Sequence, residues 1–331
     1  MTQSDPFLPD DPSNLLVADP ARRERADFDA SGNRLAGHLY RPPGADPGEA
    51  TPGIVMCGPI SSVKEQTLPH YAERFADAGY TVLGFDPSGF GESEGEPRFH
   101  YDPWGVISDY VDASAYLMSR DDIAADRVAV VGVCMGGGYA VGAAARERRL
   151  VACASVAGGY DVGGTFQQAM GADGYASYLR LANEARDRER QTGETVYIPT
   201  IAHELTEDEP LAAMPVEEAY SYYARTSREE APNWSWTMTA ASLEPYLTFN
   251  AISQAALVAP TPLLIVHGTG DTTLPPEKAQ AAFDAASEPK RLVWIETHNH
   301  IELYDQDPYV SEAVGHVLGW LGELGLEGER A

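Results

Sequence analysis

The chain has 331 residues, 44% of them hydrophobic and 22% charged, with a formal net charge of −27. That balance describes a globular protein with one large core, able to carry an inserted subdomain, and excludes a fibrous or disordered chain. The acidic field repels phosphate backbones and anionic lipid, so no nucleic acid and no membrane is expected as a partner, and no apolar run reaches the ~18 residues of a membrane span.

Residues 1–24 are expected to form a flexible tail. The first 19 are rich in Asp, Pro and Ser and hold no basic segment followed by an apolar one, so a signal peptide is not expected and a cytoplasmic protein is. Residues 25–30 and 34–41 read as two strands around the turn Ser31-Gly32-Asn33. A strand at 53–57 precedes a helix at 68–78, in which Leu68, Tyr71, Phe75 and Ala78 share one face. Then follow a strand at 81–85, a Gly-rich loop, a helix near 106–119, a strand at 128–131, a helix opening at Met135 and a strand at 151–156. The pattern stops after residue 159. It resumes with a strand at 262–267, a helix at 276–286, a strand at 291–296 and a helix at 309–324 striped by Val310, Val314, Val317 and Leu321.

Apolar strands alternating with amphipathic helices predict an α/β fold, with a mostly parallel central sheet flanked by helices and built from residues 25–159 and 260–331. The stretch 160–259 is helical in pattern and rich in aromatics, and is expected to be a helical cap inserted between the two halves of the core. Aromatics at helical spacing are core more often than pocket. Tyr175, Trp234 and Trp236, with Pro59 of the core, are the pocket candidates.

Three cysteines without a CxxC pair or a zinc-like Cys/His cluster suggest no metal and no disulfide framework, and nothing implies a cofactor. Cys57 and Cys153 lie in apolar stretches, as buried cysteines do. Cys134 lies in Gly132-Val133-Cys134-Met135-Gly136-Gly137-Gly138, directly between a strand and a helix. A turn this sharp strains its central residue and demands small neighbours two positions either side, lifting one side chain above the sheet over a helix N-terminus. For cysteine, that helix end and a nearby imidazolium both favour the reactive thiolate. A phosphate-binding loop would need G-x-G-x-x-G or a Walker lysine, and neither is present.

Such a nucleophile needs a base and a carboxylate to orient it. The strand ending in His267-Gly268-Thr269-Gly270-Asp271 supplies Asp271. The next strand ends in Thr297-His298-Asn299-His300, so two histidines compete for the base. The order nucleophile, acid, base fits this fold.

Several segments together resemble α/β-hydrolases of the dienelactone-hydrolase-like group, capped bacterial members above all, and the related fungal polyketide transferases and acyl hydrolases. They are Val63-Lys64-Glu65, Asp86-Pro87-Ser88-Gly89-Phe90-Gly91-Glu92-Ser93, the glycine turn at Cys134, Pro260-Thr261-Pro262-Leu263-Leu264, Glu288-Pro289-Lys290-Arg291-Leu292-Val293 and His300-Ile301-Glu302-Leu303-Tyr304. The resemblance spans about residues 25–321. In such proteins the base is followed by an apolar residue, an acid and, after one more residue, a tyrosine, which selects His300. His298 is then a loop residue and His267 a structural one. Two departures stand out. Cys57-Gly58-Pro59-Ile60 replaces the usual His-Gly loop, and proline has no N–H, so the oxyanion donors are expected to be the backbone N–H groups of Met135 and of Ile60 or Ser61. Ser88 stands where such proteins carry an arginine, which removes a structural guanidinium.

A Cys–His–Asp set beside an oxyanion hole performs acyl transfer. A thiolate attacks well but also leaves well, so esters, lactones and thioesters suit it better than unactivated amides. The expected activity is hydrolysis of such a bond through an acyl-cysteine intermediate. The alternatives are transfer of the acyl group to an alcohol or amine, and a catalytically silent ligand receptor on a hydrolase scaffold. The expected partner is a small-molecule acyl substrate, with a second copy of the chain in a homodimer as a further expectation.

Overall fold

The computed structural model describes residues 12–45, 50–203 and 211–328. The chain opens with short strands β1 (Glu24–Arg25), β2 (Phe28–Ala30), β3 (Asn33–Leu35) and β4 (Gly37–Tyr40). It then alternates through β5 (Thr51–Cys57), α1 (Leu68–Asp77), β6 (Thr81–Phe85), α2 (Pro103–Met118), β7 (Ile123–Val133), α3 (Met135–Arg146) and β8 (Cys153–Val156). An eight-stranded sheet runs β1-β4-β6-β5-β7-β8 and is completed by β11 (Leu263–Gly268) and β12 (Lys290–Ile295). From β6 to β12 every neighbouring pair is parallel, and only the β1 and β4 pairings are antiparallel. The central strands β5, β6, β8 and β11 are buried on both faces, which explains why they read as unbroken apolar runs.

Between β8 and β11 comes the insertion: α4 (Val162–Thr192), β9 (Tyr197–Pro199), α5 (Glu217–Glu229), β10 (Thr237–Thr239), α6 (Leu243–Leu247) and α7 (Ile252–Ala255). Asp161 and Asn250 form an isolated bridge where the chain leaves and returns. The insertion is not wholly helical, since β9 and β10 pair antiparallel. Helix α4 breaks at Gly171, whose φ of 72° no helix accommodates. The chain closes with α8 (Pro276–Ala285), α9 (Glu302–Asp305) and α10 (Tyr309–Glu323), whose Val310, Val314, Val317 and Leu321 are buried as their spacing predicts.

Residues 12–24, expected as part of a loose tail, are instead tied to the body. Leu15 bridges Gln306, the Leu16 N–H donates to the Asp305 carbonyl at 2.8 Å, and Arg22 pairs with Asp77 at 2.8 Å. The backbone donors of a short segment find acceptors here that composition does not reveal. Residues 1–11 of that expectation lie outside the described residues.

Candidate active site

The C-terminal ends of β5, β7, β8, β11 and β12 lie at one edge of the sheet, and the residues just beyond them form the site. Cys134 follows β7 and caps α3 with φ 58° and ψ −128°, a left-handed backbone that costs a non-glycine residue roughly 1–3 kcal/mol. The flanking glycines are obligatory. A Cβ on Gly132 would sit 1.9 Å from the Gly136 carbonyl oxygen, and one on Gly136 would sit 2.1 Å from that of Cys57.

Asp271 and His300 stand in the loops after β11 and β12. The Nδ1–H of His300 donates to Asp271 Oδ2 at 2.5 Å, and Asp271 Oδ1 accepts the Leu274 N–H at 2.7 Å. On its other side, His300 Nε2 lies 3.0 Å from the Tyr304 hydroxyl, and Cys134, His300 and Tyr304 line the same cavity. All four residues are buried. Burial opposes charge on the His300 imidazole, but Asp271 and Cys134 outweigh it and hold the imidazolium well above its usual range.

The other histidines lie elsewhere. His298 is exposed, its Nδ1 3.1 Å from Glu302 Oε1. His267 donates from Nε2 to the Leu274 carbonyl at 2.8 Å, and burial holds it below the usual imidazole range. Cys57 and Cys153 are fully buried, and burial pushes both thiols up, away from reactivity.

The loop after β5 presents free donors. The Ser62 N–H donates to the Pro59 carbonyl, the Val63 N–H to Gln66 and the Lys64 N–H to Asp86. Among the described residues no acceptor faces the N–H of Ile60, Ser61 or Met135. Ile60 and Met135 line the cavity with Cys134, whereas Ser61 does not. The loop is held from below by Lys64, whose buried ammonium meets Glu65, Asp86 and Glu92 at 2.7, 2.9 and 2.7 Å. That cluster is the physical content of the Val63-Lys64-Glu65 and Asp86–Ser93 motifs. Ser88 instead faces Asp109, donating from its N–H at 2.8 Å and its hydroxyl at 2.9 Å, beside a separate cavity of about 170 Å³.

A cavity of about 610 Å³, the size of an ordinary small-molecule site, opens over Cys134, His300 and Tyr304. One wall is formed by α4 and is apolar but for Thr165: Val162, Phe166, Ala169 and Met170 line it with that residue. The lining from α5 and the loop after β11 carries polar groups, Glu217, Glu218 and Ser221 beside Thr272 and Thr273, among the apolar Val216, Ala219 and Leu274. Glu218 accepts the His300 N–H at 3.2 Å and also the Thr273 hydroxyl.

The four residues expected to line the pocket do not. Pro59 closes a turn, its carbonyl accepting both the N–H and the hydroxyl of Ser62. Tyr175 donates its hydroxyl to the Leu247 carbonyl. Trp234 is stacked on Tyr223 at 4.6 Å, and Trp236 lies at the 40% exposed edge of the same stack. The aromatic run is thus chiefly packing, and Phe166, Tyr223 and Tyr246 are its members that reach the cavity. Sequence reading missed Glu218 altogether, since an acid at a helix start reads as helix-dipole stabilisation.

Residues 31–302 match the profile of X-Pro dipeptidyl-peptidase (S15 family). The chain is 31% identical over 274 residues to the thiohydrolase aneE of Aspergillus aculeatus, covering 81% of this chain and 83% of that one. It is 28% identical over 276 residues to the polyketide transferase claH of Penicillium crustosum, covering 81% and 87%. Among solved structures, DcsB in complex with its substrate analogue superposes with a TM-score of 0.77 at 22% identity over 91% of this chain and 98% of that one, a likeness of fold. No described helix is long and apolar enough to cross a membrane. With the sheet topology, the turn at Cys134 and a family match over most of its length, the chain belongs to the S15 family of X-Pro dipeptidyl-peptidase-like proteins and is an enzyme of the α/β-hydrolase type.

Proposed function

We propose that the protein is an acyl hydrolase that cleaves an ester, lactone or thioester through an acyl-Cys134 intermediate. The observation that carries this reading is the His300 imidazole, bound to Asp271 through Nδ1 at 2.5 Å and lining one cavity with Cys134, which stands on a strained turn. In the first half-reaction Cys134 Sγ bonds to the carbonyl carbon and its proton resides on His300. The oxyanion is received by the N–H groups of Met135 and Ile60, the carbon–leaving-group bond breaks, and the leaving group takes the proton from His300. In the second, His300 draws a proton from water, water oxygen bonds to the acyl carbon, and Sγ leaves and recovers the proton.

The thiol argues for the bond class. An unactivated amide, the bond implied by the family's name, leaves only once His300 has protonated its nitrogen, so its tetrahedral adduct returns the thiolate more readily than that of an ester or thioester. The thiohydrolase relative supports a thioester. A second reading, transfer to an alcohol or amine, is supported by the apolar α4 wall, which disfavours water, and by the transferase relative.

The test is intact-protein mass spectrometry after brief exposure to p-nitrophenyl esters and acyl thioesters, wild type beside Cys134→Ala. An acyl mass on the wild type alone is expected. Its decay in water indicates hydrolysis, and accelerated decay with an added alcohol indicates transfer. Turnover that survives in Cys134→Ala would remove Cys134 as the nucleophile.

A further inference from the structure

The cavity is asymmetric in charge as well as polarity. Its α4 wall carries no ionisable group, whereas the side next to His300 carries the carboxylates of Glu217 and Glu218. No lysine or arginine is among its described lining residues. Lys278, on the helix after β11, is paired with Asp161 at 2.7 Å instead. Charge in the site therefore does not cancel. The His300 imidazolium is matched by Asp271, and the two glutamates remain uncompensated by any lining cation. Glu217 is exposed at the mouth, 3.3 Å from His203, while Glu218 is half-buried and held against the His300 backbone.

His300 marks the side on which the leaving group departs and the acceptor arrives, because it handles the proton of both. The apolar wall is then left for the acyl chain. From this arrangement, and resting on Cys134 as the nucleophile, we infer that the enzyme takes acyl donors whose acyl group is apolar and whose leaving group is neutral or cationic, and discriminates against anionic leaving groups such as those bearing a carboxylate or phosphate. An anion brought next to half-buried Glu218 meets like charge that is screened less than in bulk water, and exposed Glu217 adds a repulsion that salt screens readily. Discrimination here comes from repulsion of the wrong substrate as much as from attraction of the right one.

The test uses three thioesters of one hexanoyl group that differ only in the leaving thiol: thiocholine (cationic), N-acetylcysteamine (neutral) and 3-mercaptopropionate (anionic). Thiol release gives kcat/KM for each at low ionic strength and at about 0.5 M NaCl. The expected result is thiocholine at or above N-acetylcysteamine, with 3-mercaptopropionate lower by about tenfold or more and the gap narrowing in salt. In Glu217→Gln/Glu218→Gln the anionic donor should come within about threefold of the neutral one. Equal kcat/KM for anionic and neutral donors in the wild type, or a gap unmoved by both salt and the double variant, would overturn the inference. Mass spectrometry of the acyl-enzyme separates the two ideas. Equal turnover with an acyl mass on Cys134 removes the charge inference alone. Turnover retained in Cys134→Ala, or neither turnover nor adduct with any donor, removes the nucleophile assignment and this inference with it.

Discussion

Glu218, near the start of α5, accepts the backbone N–H of His300 at 3.2 Å with one carboxylate oxygen, while the other accepts the hydroxyl of Thr273. One side chain from the insertion thus joins the loop that carries Asp271 to the loop that carries His300. A hydrogen bond to a charged group contributes roughly 1.5–3 kcal/mol. Glu218→Ala is expected to lower kcat about tenfold with little change in KM, and Glu218→Gln to restore much of it, since an amide oxygen still accepts. Steady-state kinetics of both variants, with melting curves, would check this. Equal loss in Ala and Gln variants, tracking a fall in melting temperature, would assign Glu218 to stability only.

Tyr304 lies with its hydroxyl 3.0 Å from His300 Nε2, and it lines the cavity with Cys134. Its ring is wedged edge-on against Tyr222 at 4.9 Å, so removing the oxygen alone should leave the ring in place. Tyr304→Phe is expected to reduce kcat by about tenfold, the value of one net hydrogen bond, while the melting temperature stays within a few degrees. Unchanged kcat would show that the hydroxyl only packs.

His300 offers a pH test. Burial alone would lower its pKa, and Asp271, together with Cys134, raises it. A folded-state pKa above the unfolded value contributes stability that is complete below the unfolded value, near 6.5, and lost as pH rises through the folded one. Asp271→Asn removes the carboxylate charge and leaves burial dominant, so the imidazole should titrate lower and the alkaline loss of stability should shrink. Nitrogen NMR of the histidine ring across pH, in wild type and Asp271→Asn, reads this directly. A titration unmoved by the substitution would refute the electrostatic coupling.

Asp109 carries the opposite lesson for a carboxyl group. Burial pushes it up to about 6, against hydrogen bonds from the Ser88 N–H and hydroxyl that favour the charged form. Its folded pKa exceeds the unfolded one, so its contribution is complete below about 4 and lost as pH rises through about 6, a loss on the order of 3 kcal/mol. Asp109→Asn should therefore melt higher than wild type at pH 8 and show little advantage at pH 4. A pH-independent difference in melting temperature would overturn this.

The turn glycines allow a steric test with an internal control. Gly132→Ala and Gly136→Ala place a Cβ about 2 Å from a backbone oxygen, which nothing can relieve without moving β7, α3 or β5. Both are expected to lose more than about 4 kcal/mol or to fail to fold. Gly315, in the middle of α10 with nothing within 4 Å of an added Cβ, should gain about 0.5–1 kcal/mol as alanine. Denaturant midpoints of the soluble variants decide the sign.

What the sequence by itself determined is the part encoded by local chemistry. Alternating apolar strands and amphipathic helices specified a parallel sheet, and α3 begins at Met135 as the glycine turn requires. Cys134, Asp271 and the competing pair His298 and His300 could be named because each stands at a strand end, in the order such a sheet brings together, and the family resemblance singled out His300. Element edges were less legible. Helix α2 starts at Pro103, three residues early, because Asp102 caps it by accepting the Trp104 N–H. Strand β7 starts at Ile123 because pairing with Thr51 extends it across Asp126 and Arg127, which interrupt the apolar run. Only the tertiary structure decided the cavity. Whether an aromatic faces a pocket or another ring depends on how the insertion folds over the sheet, so Trp234 went to a stack with Tyr223 while the unmarked Val162, Phe166 and Met170 became the wall. Glu218 meets His300 across 82 positions of chain, a contact made by packing between elements, and neither periodicity nor spacing carries information about it.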